Sequence, residues 1–177
     1  MTARFARFAA AAALVAALPF TASAQFAKGD RVASVSFMTG GDYDGTGFGG
    51  QAEWGILPLG KATLGIGAFA GFQRDSESAG SFKATSTIIP MMVIGNVHFP
   101  IASQPKLDLY AGASVGLIRV SVDVDGGSAI NGNASNTDSG FGIQGGARYW
   151  MGSKLGLNGQ LGFGDIPLIQ AGVSFKF

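Results

Sequence analysis

Residues 107–117 read "LDLYAGASVGL". On an extended chain Leu107, Leu109, Ala111, Ala113, Val115 and Leu117 share one face, and Asp108, Tyr110, Gly112, Ser114 and Gly116 share the other. A period of two marks a strand whose two sides meet different surroundings. The polar side is unusual in being small rather than charged. A strand lying on a soluble sheet would carry Lys and Glu there, but only 13% of this chain is Asp, Glu, Lys or Arg, about half the usual share.

The same alternation recurs on both sides of this stretch. "SGFGIQGGARYWM" sets Phe141, Ile143, Gly145, Ala147, Tyr149 and Met151 against Gly142, Gln144, Gly146, Arg148 and Trp150. "KLGLNGQLGF" sets Leu155, Leu157, Leu161 and Phe163 against Gly156, Asn158, Gln160 and Gly162. The final stretch, ending "GVSFKF", sets Ile169, Ala171, Val173, Phe175 and Phe177 against Gln170, Gly172, Ser174 and Lys176. Upstream, residues 31–39, 47–57, 61–74 and 84–99 follow suit, for eight strands in all. Most run 9–16 residues, whereas globular strands average about 5–6 and a tilted membrane-crossing strand needs about 9–11. "TIIPMMVIG" is irregular: Ile88, Met92 and Ile94 fall on the otherwise polar face around Pro90. Proline lacks a ladder donor, so a bulge that shifts the register by one is expected there.

The first 24 residues have another character. Arg4 and Arg7 precede an apolar run from Phe8 to Phe20, and Thr21-Ala22-Ser23-Ala24 follows before Gln25. This is the layout of a cleavable secretory signal, residues 1–24; the run is too short for a spanning helix. Removing 24 of 177 residues leaves 153, one domain by length, with 10 basic and 11 acidic side chains. No basic cluster suggests a nucleic-acid footprint. The absence of Cys excludes disulfides and thiolate chemistry. Gly-rich pieces such as "GIGAFAG" are not phosphate loops, because no helix and no Lys-Ser/Thr follows.

The connections alternate between short ("PLG", "PIASQP", "GS") and long ("GGDYDGT", "DSESAGSF", "DVDGGSAINGNASNTD"), with a short final hairpin "GDIP". Short turns on one side and long loops on the other, with strands long enough to cross a bilayer, predict an all-β fold: an eight-stranded antiparallel up-and-down transmembrane β-barrel over residues 25–177. Unpaired backbone groups are too costly in lipid for an open sheet, so the last strand closes on the first. The apolar stripe then faces lipid and the small, polar stripe fills a narrow lumen. Both mature termini are expected on the short-turn, periplasmic side.

With these residues together, the chain resembles the small eight-stranded outer-membrane barrels of Gram-negative bacteria: the transmembrane domain of outer membrane protein A, its porin-like and opacity-protein-like relatives, and the outer membrane protein beta-barrel domain group. In that family the last strand ends in an aromatic residue with apolar residues at alternate positions upstream, and the barrel assembly machinery reads it. The resemblance implies that role for Val173, Phe175 and Phe177. It also implies outer-membrane lipid and lipopolysaccharide as partners, monomeric barrels and a location in the cell outer membrane. The larger relatives' peptidoglycan-binding domain has no counterpart in this sequence.

The expected inner face carries Glu53, Asp108, Arg148 and Lys176. A lone charge in a narrow lumen is strongly disfavoured unless paired, so Glu53, Asp108 and Arg148 are expected to form a cluster that plugs it. His98, the only His, is expected to be a solvated or hydrogen-bonded residue near a turn. A hydrolase would need Ser103 and Asp108 beside it, and no strand geometry evidently gathers them, so no catalytic residue, cofactor or metal is assigned. Asp42, Asp44, Asp75, Glu77, Asp123, Asp125 and Asp138 read as solvated loop acids, and "DVDGG" lacks the spaced ligands of a calcium loop. Function stays open between a structural or surface-exposed barrel and a small passive or gated channel. An exported soluble barrel for an apolar ligand fits the scarcity of charge less well.

Overall fold

The computed structural model describes residues 25–41, 45–80, 82–126 and 131–177. Eight strands, β1 (Arg31–Thr39), β2 (Thr46–Leu59), β3 (Ala62–Ala79), β4 (Phe82–Pro100), β5 (Leu107–Asp125), β6 (Asn131–Trp150), β7 (Leu155–Gly164) and β8 (Ile169–Lys176), form one closed antiparallel barrel. The seam between β1 and β8 pairs Ala33 with Phe175 and Val35 with Val173. Inside that seam Ser34 and Ser174 share a hydrogen bond of 2.8 Å. The proposed signal segment and the loop acids Asp42 and Asp44 lie outside the described residues.

Face assignment follows the period-two pattern. Val35, Phe48, Val93, Val115, Phe141, Leu161 and Phe163 are exposed on the outer wall, while Ser34, Glu53, Asn96, Ser114, Gln144 and Ser174 are buried inside. In water this inversion would be unstable. In a bilayer the hydrocarbon solvates the outer stripe and the closed ladder pairs the backbone groups between strands.

Three expectations are corrected. Strand β4 has no bulge at Pro90. Its ladder with β3 lapses opposite Gly71 and Phe72 and resumes in the same register, Ala70 with Met91 and Gln73 with Ile88. The missing proline donor costs bonds locally without moving the strand. The irregularity lies instead in β2, between Gly55 and Leu57.

The strands also run further at the long-loop end than periodicity indicated. β3 and β4 continue to Ala79 and Phe82, and β5 and β6 to Asp125 and Asn131. Beyond the bilayer both faces of a sheet meet water, so the alternation that identifies a strand disappears from its sequence.

The lumen, finally, is not polar throughout. Ile88, Met92 and Ile94, kept in register, join Met38, Phe69, Ile118 and Ile166 in a buried apolar cluster towards the long-loop end.

Candidate functional site: the filled lumen

Three layers fill the bore. At the end where β1 begins and β8 ends, Phe26, Val32 and Trp150 form a small apolar cap. Phe26 belongs to the segment preceding β1, which the wall holds through Gly29 N–H to the Gly55 carbonyl (2.8 Å) and Gly55 N–H to the Asp30 carbonyl (2.9 Å). A Cβ on Gly55 would collide with the backbone of Ala27, so glycine is needed where the segment crosses. Lys176 ties the same segment to the closing strand, donating to Asp30 Oδ2 (2.9 Å) and the Gln25 carbonyl (3.1 Å).

Above this cap lies the charged layer. Glu53 on β2, Asp108 on β5 and Arg148 on β6 come together although β2 and β6 are not neighbours. Arg148 donates to Glu53 Oε2 at 2.6 Å and to Asp108 Oδ2 at 3.4 Å. Asp108 and Arg148 are directly paired in the β5–β6 ladder. Strand β2 supplies Glu53 from across the bore because eight strands enclose an interior that side chains can span. Gly65 makes the space: a Cβ there would sit 2.7 Å from Glu53 Oε1.

The structure adds His98, Asn96 and Tyr110 to the three residues expected from sequence. His98 is 1% exposed, so of the two expected states, solvated or hydrogen-bonded, it takes the second. Its Nε2 lies 2.9 Å from Glu53 Oε1 and its Nδ1 lies 2.8 Å from Asp108 Oδ1. In the β4–β5 hairpin His98 pairs with Tyr110, which sets Asp108 diagonally beside it, within reach of long side chains. That hairpin geometry is the signal that identifies the His98–Asp108 contact, and the sequence reading overlooked it. Ser103 is exposed in the following turn, and both imidazole nitrogens are occupied by carboxylates, so no nucleophile–base pair forms here.

Glu53 Oε1 also accepts from Asn96 Nδ2 (2.9 Å), whose Oδ1 accepts from Gln144 Nε2 (2.9 Å). Tyr110 donates to Gln160 Oε1 at 3.1 Å and lies 4.9 Å beneath the Arg148 guanidinium. In the imidazolium form His98 donates to both acids, and the four charges sum to zero. Such neutrality and mutual hydrogen bonding allow charges to stay buried. Among the described residues no group of acids and imidazoles is arranged to hold a metal ion.

The third layer is the apolar cluster, closed from outside by the β7–β8 hairpin. Ile166 turns inward over Gly142 and Gly162, where a Cβ would lie 2.8 and 2.7 Å from its side chain. Leu168 N–H bonds to the Gly40 carbonyl (3.1 Å), so this connection is held against the β1–β2 loop. The short "GDIP" hairpin thus departs from the long series because it folds into the barrel mouth.

Val173 and Phe175 line the lipid side of the seam, and Phe177 continues it with its N–H on the Arg31 carbonyl (3.1 Å).

Comparisons with known proteins agree with this architecture. Ail, the attachment invasion locus protein of Yersinia pestis, superposes with a TM-score of 0.53 at 12% identity, covering 84% of this chain and 95% of that one. A major outer membrane protein from Thermus thermophilus gives 0.62 at 15% identity, covering 84% and 99%. A de novo designed transmembrane β-barrel gives 0.52 at 17%, covering 86% and 98%. At these identities the likeness is one of fold. No curated protein sequence matches the chain. The model of the outer membrane protein beta-barrel domain matches residues 8–177, so this chain belongs to that family of outer-membrane barrels.

Proposed function

We propose that this protein is a structural, surface-presenting barrel of the outer membrane whose lumen is sealed. One observation carries the reading: an apolar cap, an ionic layer and a second apolar layer follow one another along a bore only eight strands wide. An ion would have to separate Arg148 from Glu53, both nearly solvent-free, and breaking a buried pair costs about 3–5 kcal/mol. It would then have to cross seven buried apolar side chains. No step of hydrolysis is supported by His98 held between two acids, so the role is non-enzymatic.

Several further elements belong to this reading. Residues 1–24 are removed on export. Both ends of the mature chain then lie in the periplasm, on the side of the short turns. Val173, Phe175 and Phe177 serve as the strand read during barrel assembly. The barrel works as a monomer against outer-membrane lipid and lipopolysaccharide, and the extended β3–β6 sheet presents polar side chains outside. Planar-bilayer recording of the refolded protein is the test: no stepwise conductance is expected, and reproducible unitary steps would replace this reading with the channel.

A further inference from the structure

The outer wall is not uniformly bulky. Along β1–β3, two neighbouring outward rungs carry almost no side chain: Ala33, Ala52 and Ala68 in one, Gly50 and Ala70 beside Val35 in the next. The rung beyond them is Phe37, Phe48 and Phe72, and the rung on the terminus side is Arg31, Trp54 and Ile66. The result is a framed hollow. Its main part measures about 660 Å³ and runs on to Met91, Val93 and Leu117. A second part, about 380 Å³, opens between Trp54 and Phe177 at the rim, and both parts share Ala52 and Ala68.

We infer that this groove binds one phospholipid, an acyl chain lying on the Ala52–Ala68 floor and the phosphate on Arg31. Charge and shape both select that occupant. Arg31 is exposed and stands 5.2 Å over the Trp54 ring, which orients its fork of donors at the rim. A planar guanidinium binds phosphate oxygens in pairs. Glu53, the other charged side chain of the lining, turns its carboxylate inward to Arg148. Six residue steps along β1 lead from Arg31 to Phe37, about 20 Å at a rise of ~3.3 Å, long enough for an extended acyl chain. A second barrel would present a convex wall, meeting the rim of Phe37, Phe48 and Trp54 before reaching the floor. A single flexible chain follows the hollow without that conflict. The inference rests on the membrane placement argued above, and on the proposed orientation only for which leaflet supplies the lipid.

The test uses the full processed protein in nanodiscs of mixed phosphatidylglycerol and phosphatidylcholine, released for native mass spectrometry. The wild type is expected to retain one phospholipid, preferentially the anionic one. Ala52→Phe combined with Ala68→Leu should reduce retention about tenfold or more, while Ala147→Leu on the far wall should leave it unchanged. Arg31→Gln should keep a lipid and lose the preference for phosphatidylglycerol. Heat-modifiable gel migration confirms that each variant is a folded barrel. Retention unaffected by filling the hollow, no retained lipid in the wild type, or a retained second copy of the chain would each overturn the inference. Failure to enter the nanodisc at all would instead overturn the membrane reading on which it stands.

Discussion

Phe26 stacks on His98 with ring centroids 3.9 Å apart and planes inclined by 23°. A residue from the segment preceding the first strand thereby covers the imidazole that joins Glu53 to Asp108. The charged layer is roofed by the segment preceding β1 together with Val32 and Trp150 of the wall, and the Arg148 guanidinium lies 5.9 Å from the Phe26 ring.

Removing that roof should wet the layer beneath. Phe26→Ala is expected to destabilise the barrel by about 3–5 kcal/mol in denaturant titration. The chain has two Trp residues, Trp54 exposed and Trp150 fully buried. In a Trp54→Phe background, acrylamide quenching of Trp150 should therefore rise when Phe26 is truncated. Unchanged quenching would show that Phe26 does not seal this end.

Arg148→Met leaves His98 as the one cationic partner of Glu53 and Asp108 within the charged layer, and should cost about 3–5 kcal/mol. Replacing Glu53 by Gln and Asp108 by Asn in the same chain removes the uncompensated charge and should recover much of that loss. Urea unfolding in lipid vesicles measures both. Equal stability of the single and triple variants would mean that the charges are not coupled.

His98→Ala removes a hydrogen-bond partner from each of two buried acids. A loss of about 1–3 kcal/mol is anticipated from two under-satisfied carboxylates. A variant as stable as the parent would show that neither carboxylate depends on the imidazole.

Gly142→Ala places a Cβ 2.8 Å from the Ile166 side chain. Overpacking of this kind costs about 1–3 kcal/mol. Ile166→Ala should relieve part of it, giving a coupling of about 0.5–3 kcal/mol in a double-mutant cycle. Strict additivity would show that Ile166 does not occupy the mouth over Gly142.

The strand period, the two faces of each strand and the need for closure were legible along the chain, because alternation is a local property of two-residue pitch. So was the demand that Glu53, Asp108 and Arg148 find partners, since an unpaired charge in a narrow bore is strongly disfavoured whatever its neighbours. Which groups meet was a different matter. Glu53 reaches Arg148 across non-adjacent strands, His98 bridges an acid of the neighbouring β5 to one of the non-adjacent β2, Phe26 enters from outside the sheet, and Ile166 folds back from a hairpin. Even Pro90 kept its register, because β5 pairs with β4 without a break along its length. These outcomes depend on how the closed ladder staggers its strands and how side chains share one confined volume, and only the tertiary structure sets those terms.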